Sequence, residues 1–118
     1  MNAMRLAAYG GPNAFEVADL PVPSLGPGEV LTRVLASSVN PVDTQARRGQ
    51  HPDWFSPPCV LGFDAAGVVE AVGAQVEHPG VGDEVYYMAP IGSEGTYAEY
   101  HVADAERVSH KLASLDML

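Results

Sequence analysis

Leu61-Gly62-Phe63-Asp64-Ala65-Ala66-Gly67-Val68-Val69-Glu70-Ala71-Val72-Gly73 is the stretch whose reading decides the fold. From Asp64 to Gly73 it reads as one long strand. Ala65, Ala66 and Gly67 carry so little side chain that another backbone or a ligand can approach closely there. Downstream, Gly80-Val81-Gly82-Asp83-Glu84 is a turn leading into a strand from Val85 to Met88. Thr96 to Val102 alternates as a further strand, and Arg107-Val108 reads as a last short one.

Upstream, Arg5 to Tyr9 is a short apolar run ended by Gly10-Gly11-Pro12, a strand and a turn. Phe15 to Leu20 alternates with period two, as a half-buried strand does, and Pro21-Val22-Pro23 breaks ladder pairing. Val30 to Ala36 is the clearest strand, with Val30, Thr32, Val34 and Ala36 on one face and Leu31, Arg33 and Leu35 on the other. Asn40 to Gly49 has the marks of a short helix. Asn40 suits the N-cap, Pro41 the first turn and Gly49 the C-terminal stop, with Arg47-Arg48 placed to complement the helix dipole. His51 to Pro58, with three prolines and Trp54-Phe55, reads as an ordered loop. Ser114 to Leu118 looks like the first turn of another helix. Six or seven short strands and one or two short helices predict a mainly β, barrel-like domain that is largely antiparallel.

Composition narrows the function. The 118 residues allow one domain, and 47% hydrophobic against 18% charged describes a globular chain rather than a disordered one. Twelve Gly and ten Pro, spread without a tract, fit many turns between short strands. The formal charge of −9 and a single basic pair argue against nucleic acid and against an anionic membrane surface. One cysteine, Cys59, permits no intrachain disulfide, and no apolar run is long enough to span a bilayer. With no secretory signal at the N-terminus, the cytoplasm is the expected location.

Five ordered blocks then carry a family resemblance. They are Gly28-Glu29-Val30-Leu31; Ser38-Val39-Asn40-Pro41-Val42-Asp43-Thr44 with Arg48-Gly49; Leu61 to Gly73; Gly82-Asp83-Glu84-Val85-Tyr86; and Gly95-Thr96-Tyr97-Ala98-Glu99-Tyr100. Together they resemble the N-terminal domain of medium-chain dehydrogenases/reductases, in the version carried by zinc-free quinone oxidoreductases. The resemblance implies a GroES-like fold over residues 1–118, a partly open β-barrel. It also implies a separate Rossmann cofactor domain following Leu118, and hydride transfer from NADPH or NADH to a quinone or an activated double bond. An enoyl-thioester reductase fragment and a stand-alone GroES-like binding module are the alternatives.

The same resemblance names a substrate and nicotinamide cleft at Asn40, Asp43, Gln45, Phe63 and Asp64. Asn40 and Asp43 are equally well read as a helix cap and an acid at the positive helix end. Asp64 reads as a partly buried carboxylate accepting backbone hydrogen bonds. His51 is the candidate catalytic residue. It stands where many of these enzymes carry a Tyr, and an imidazole can hydrogen-bond a carbonyl oxygen and donate a proton near neutral pH. Gln45 is a second departure, from a Tyr after the Asp-Thr pair.

No metal is expected. Zinc alcohol dehydrogenases place a Cys at the position of Asn40 and a His-Glu pair at Phe63-Asp64, and neither an amide nor a phenyl ring replaces those ligands. No glycine fingerprint opens a helix, so the cofactor phosphates have no cradle here, and the chain alone is expected to be inactive. Strand edges left without partners predict a homodimer at high protein concentration.

Overall fold

The structure is a computed structural model that describes residues 1–90, 92–111 and 114. The strands are β1 (Asn2–Leu6), β2 (Phe15–Asp19), β3 (Glu29–Ser37), β4 (Cys59–Val60), β5 (Asp64–Val72), β6 (Glu84–Met88), β7 (Tyr100–Asp104) and β8 (Ser109–His110). One α-helix, α1 (Pro41–Arg47), and two 3-10 turns at Pro12–Ala14 and Ala105–Arg107 complete the described elements. All pairings are antiparallel. β2-β1-β4 form a three-stranded sheet and β7-β3-β5-β6-β8 a five-stranded one.

β5 holds the middle of the larger sheet, as its sequence demands. Its alternate residues Ala65, Gly67 and Val69 are buried, while Asp64, Ala66 and Val68 are half-exposed. At Gly67 the approach of β3 is closer than any side chain allows. A Cβ there would sit 2.1 Å from the Arg33 carbonyl oxygen. The small-residue start of β5 therefore admits a neighbouring backbone.

The two sheets join without closing a barrel. The join is made by residues 96–99, which the alternation predicts as the first half of a strand. Instead Thr96 and Tyr97 donate to the carbonyls of Gly62 and Leu61, at 3.0 Å each. The Met4 N–H then donates to the Tyr97 carbonyl and the Val34 N–H to that of Glu99, both at 2.8 Å. The segment thus bonds in turn to the 61–62 turn, β1 and β3, and the regular strand runs only from Tyr100 to Asp104.

Other boundaries moved for equally local reasons. β1 starts at Asn2, because Asn2 to Leu6 is the part that pairs with β2; Ala7 already bonds to Ala14 in the turn. Residues 105–107 coil because the Asp104 carboxylate accepts the Glu106 N–H at 2.9 Å, so the last strand is displaced to Ser109–His110. β4, inside a proline-rich stretch, had no alternation to reveal it. In β3, a register shift between Leu31 and Thr32 lets Val30, Leu31 and Thr32 all be buried, which strict alternation forbids. The helix expected from Ser114 falls outside the described residues.

Two cores result. Val30, Ala65, Val69, Val85, Tyr87 and Ala103 pack inside the larger sheet, and Leu6, Ala46, Phe55, Leu61 and Phe63 pack beneath α1. Each fully buried Val or Leu contributes roughly 1.5–3 kcal/mol. The second core fixes α1 against the 51–63 segment, where the candidate site lies.

Candidate functional site

Asn40 is extended (φ −117°, ψ 160°) and Pro41 opens the helix, as the N-cap reading requires. At the far end Gly49 takes φ +82°, the left-handed conformation that ends a helix with least strain in glycine. α1 is only seven residues long, so its two ends are about 9 Å apart along the axis at 1.5 Å per residue.

Asp43 lies on the buried side of α1 and is 3% exposed. Its Oδ2 accepts the Asn40 N–H at 2.8 Å and the Tyr97 hydroxyl at 2.8 Å, and its Oδ1 accepts the Gly62 N–H at 3.1 Å. Three donors from three parts of the chain converge on one carboxylate. Burial first, and then Asp43 as acceptor of its proton, push the Tyr97 hydroxyl far above the usual range, so it stays a donor.

Asp64 organises a second layer. Its Oδ2 accepts the Ser38 hydroxyl at 2.6 Å and the Asn40 side-chain amide at 2.7 Å. The sequence led us to expect backbone donors, but the N–H groups around β5 serve the neighbouring strands, and side chains take their place. Ser37 donates to the Asp64 carbonyl at 2.8 Å, so it can only accept from the Thr96 hydroxyl, 2.9 Å away. Ser38 and Asp64 also border an open cleft of about 600 Å³, walled by Ala66, Tyr86 and Met88.

His51 and Gln45 meet at the other end of α1. His51 Nε2 is 2.7 Å from Gln45 Oε1. A carbonyl oxygen only accepts, so Nε2 carries the hydrogen and Nδ1 is the nitrogen left for other work. The imidazole stacks on the Trp54 indole, with centroids 4.7 Å apart and planes 19° from parallel.

The structure thus ties Asn40, Asp43 and Asp64 into one network and pairs Gln45 with His51. Phe63 stands apart: at 2% exposure it packs against Phe55 in the core. Three contributors were not singled out from sequence. Tyr97 lies 54 residues from its partner Asp43, and no local spacing announces such a pair. Ser38 looked like one more polar residue after a strand. Trp54 did carry a signal, as the one tryptophan of the chain set among prolines and an Asp.

Elsewhere, the buried His101 donates from Nε2 to the Glu94 carbonyl at 3.0 Å and accepts at Nδ1 from the Tyr87 hydroxyl at 2.8 Å. Burial lowers its pKa below the ordinary histidine value. Burial, and then the charge of Glu94, push the Cys59 thiol up, away from thiolate reactivity. Among the described residues no three His, Cys, Asp or Glu side chains group closely enough to hold a metal ion. Nor is any helix among them long and apolar enough to cross a membrane.

Comparison with known proteins bears on the fold and the family. The quinone oxidoreductase of Pseudomonas aeruginosa is 40% identical over 115 residues, covering 96% of this chain and 34% of that protein. An alcohol dehydrogenase superfamily protein from Novosphingobium aromaticivorans superposes with a TM-score of 0.91 at 38% identity, covering 99% of this chain and 36% of its own. The Escherichia coli quinone oxidoreductase complexed with NADPH superposes with a TM-score of 0.90 at 27% identity, covering 99% and 35%. The chain spans about a third of the length of the curated relatives it matches. Residues 26–113 match the alcohol dehydrogenase GroES-like domain. On that match and these superpositions, the chain belongs to the alcohol dehydrogenase GroES-like domain family.

Proposed function

We propose that this chain is the substrate-side part of a zinc-free, NAD(P)H-dependent oxidoreductase that reduces quinones or activated carbon–carbon double bonds. The observation that carries the reading is the arrangement on α1. A carboxylate-locked Asn40 stands at one end and a hydrogen-bonded His51–Gln45 pair at the other. Similarity to the Pseudomonas aeruginosa quinone oxidoreductase supports it.

A nicotinamide cofactor, when bound, supplies the hydride. Asn40, its amide oriented by Asp64, is the group this chain offers to the nicotinamide end. The phosphates would be held by a Rossmann domain outside this chain, because α1 opens at Asn40-Pro41 and not at a glycine-rich turn. Gln45 holds the His51 ring through Nε2, which directs Nδ1 outward from that bond. In the protonated ring, Nδ1–H hydrogen-bonds the substrate oxygen and passes its proton there as negative charge develops. Asp43 and Tyr97 act at one remove, by pinning the start of α1 to the 61–62 turn. By the family resemblance, Asn40 and Phe63 fall where zinc alcohol dehydrogenases carry ligands, and neither an amide nor a phenyl ring replaces them.

The test is a chimera in which this chain replaces the matching third of the Pseudomonas aeruginosa quinone oxidoreductase. We expect quinone-dependent NADPH oxidation, and His51→Ala should lower kcat/KM about tenfold or more. His51→Tyr should recover much of the loss. The chain alone should neither bind NADPH in millimolar calorimetry nor oxidise it. A chimera that ignores quinones and enones, or a clear saturable heat with the isolated chain, would count against the assignment.

A further inference from the structure

A cavity of about 450 Å³ opens between the two sheets, with β1 and β4 on one side and β7 on the other. It shares no wall residue with the Asn40–Asp43–Asp64 network or with the His51–Gln45 pair. The gap has a local cause. Leu20 to Pro23 run along it between β2 and β3, and Pro21 and Pro23 have no N–H with which to extend either sheet. The walls are accordingly rich in carbon: Leu20, Pro21, Pro23, Pro58, Val60 and Val102. A concave apolar space of this size falls within the range of about 300–1,000 Å³ typical of small-molecule sites.

Its charges specify the ligand. Two cationic residues border the cavity, and each already has a carboxylate from outside the wall. The Met1 ammonium holds Asp19 at 3.2 Å and Arg5 holds Glu16 at 2.6 Å. His101 is neutral, because burial lowers its pKa and its Nδ1 accepts from the Tyr87 hydroxyl. Two carboxylates remain. Glu29 accepts the Gly26 N–H at 2.8 Å and Glu94 the Val60 N–H at 3.3 Å, each through one oxygen. Neither is ion-paired with a cation among the described residues. Burial first, and then the Glu94 charge, push the Cys59 thiol up, so the negative field reaches the wall itself. An apolar space bordered by uncompensated negative charge favours a cation with an apolar body and repels an anion.

We propose that the cavity between the sheets binds a small lipophilic amine, its apolar body against the proline and valine walls and its ammonium on the second carboxylate oxygen of Glu94. Glu29 adds negative charge to the same wall. The site is separate from the α1 cleft, so it holds whichever substrate that cleft takes.

The probes are tryptamine, tryptophol and indole-3-acetate, which share a ring system and carry a cation, a hydroxyl or an anion. Calorimetry with the 118-residue chain should give saturable tryptamine binding, about tenfold tighter than tryptophol, with indole-3-acetate weaker than either. Glu94→Gln, which keeps an acceptor for the Val60 N–H, should weaken tryptamine about fivefold and leave tryptophol unmoved. Val102→Phe, which fills the cavity, should weaken both ligands. Glu77→Gln, which removes an equal charge from the exposed surface elsewhere, should weaken neither. The absence of saturable heat from tryptamine at millimolar concentration would overturn the proposal, as would indole-3-acetate binding as tightly as the amine. Equal losses in Glu77→Gln and Glu94→Gln would overturn it too, by showing attraction to the net charge of −9 rather than to a site.

Discussion

Replacing Asp43 with Ala removes one acceptor from three donors at once: the Asn40 N–H, the Gly62 N–H and the Tyr97 hydroxyl. A buried donor left without a partner costs about 1–3 kcal/mol, and bonds to a charged acceptor lie at the upper end. Asn40 and Tyr97 are half-buried, so water can reach part of that side, while Gly62 is fully buried. We therefore expect a loss of about 3–5 kcal/mol, with one full penalty from Gly62 and partial ones from the other two. Against a total of about 5–15 kcal/mol for a domain, that is a large share. Asp43→Asn keeps the shape but turns an amide NH2 towards one of the donors, and should cost about 2–3 kcal/mol. Guanidinium unfolding followed by circular dichroism measures both. A double-mutant cycle with Tyr97→Phe should return a coupling of about 1 kcal/mol or more, because the two groups share a bond. A loss below about 1 kcal/mol in Asp43→Ala, or strict additivity with Tyr97→Phe, would refute the claim that this carboxylate ties helix, turn and strand connection together.

Four further outcomes follow from the geometry. His101 has a pKa lowered by burial, so the unfolded chain binds its proton first: its contribution is intact above about pH 6.5 and is lost as pH falls below that, with a slope of at most about 1.4 kcal/mol per pH unit. Unfolding free energies between pH 7.5 and 5 should show this slope, and His101→Gln should flatten it. Gly67→Ala should destabilise by about 2–4 kcal/mol, since its Cβ would stand 2.1 Å from the Arg33 oxygen and the backbone must part; a thermal melt unchanged from the parent would contradict the close approach. Metal analysis of protein purified without chelator should find well under one zinc per chain. Met4 and Val17, paired across β1 and β2, are 41% and 73% exposed, and Tyr86 and Met88 on β6 are 52% and 68% exposed. Sedimentation velocity over a hundredfold concentration range should therefore show a monomer–dimer equilibrium despite a charge of −9.

The helix from Pro41 and the long strand from Asp64 were legible because their determinants are local. A cap, a proline at the first turn, a terminal glycine and a run of β-branched residues act within a few positions of themselves. So was the family, since ordered blocks with their glycines survive as linear patterns. The hydrogen-bonding roles of the site were not legible. Asp43 and Tyr97 stand 54 residues apart and Asn40 and Asp64 stand 24 apart, so each pair exists only once the 61–62 turn and the 96–99 crossing bring distant segments to α1. Local spacing names residues able to accept or donate, but a hydrogen bond needs a partner within about 3 Å. That distance is set by packing. The same holds for Thr96 to Ala98, whose alternation promised a strand until the backbone found its partners in the 61–62 turn and β1. Composition and local pattern determined the β architecture, the helix from Pro41 and the residues capable of chemistry; tertiary packing decided which of them meet, because the partners of a buried polar group are chosen by position in space and not by position in the chain.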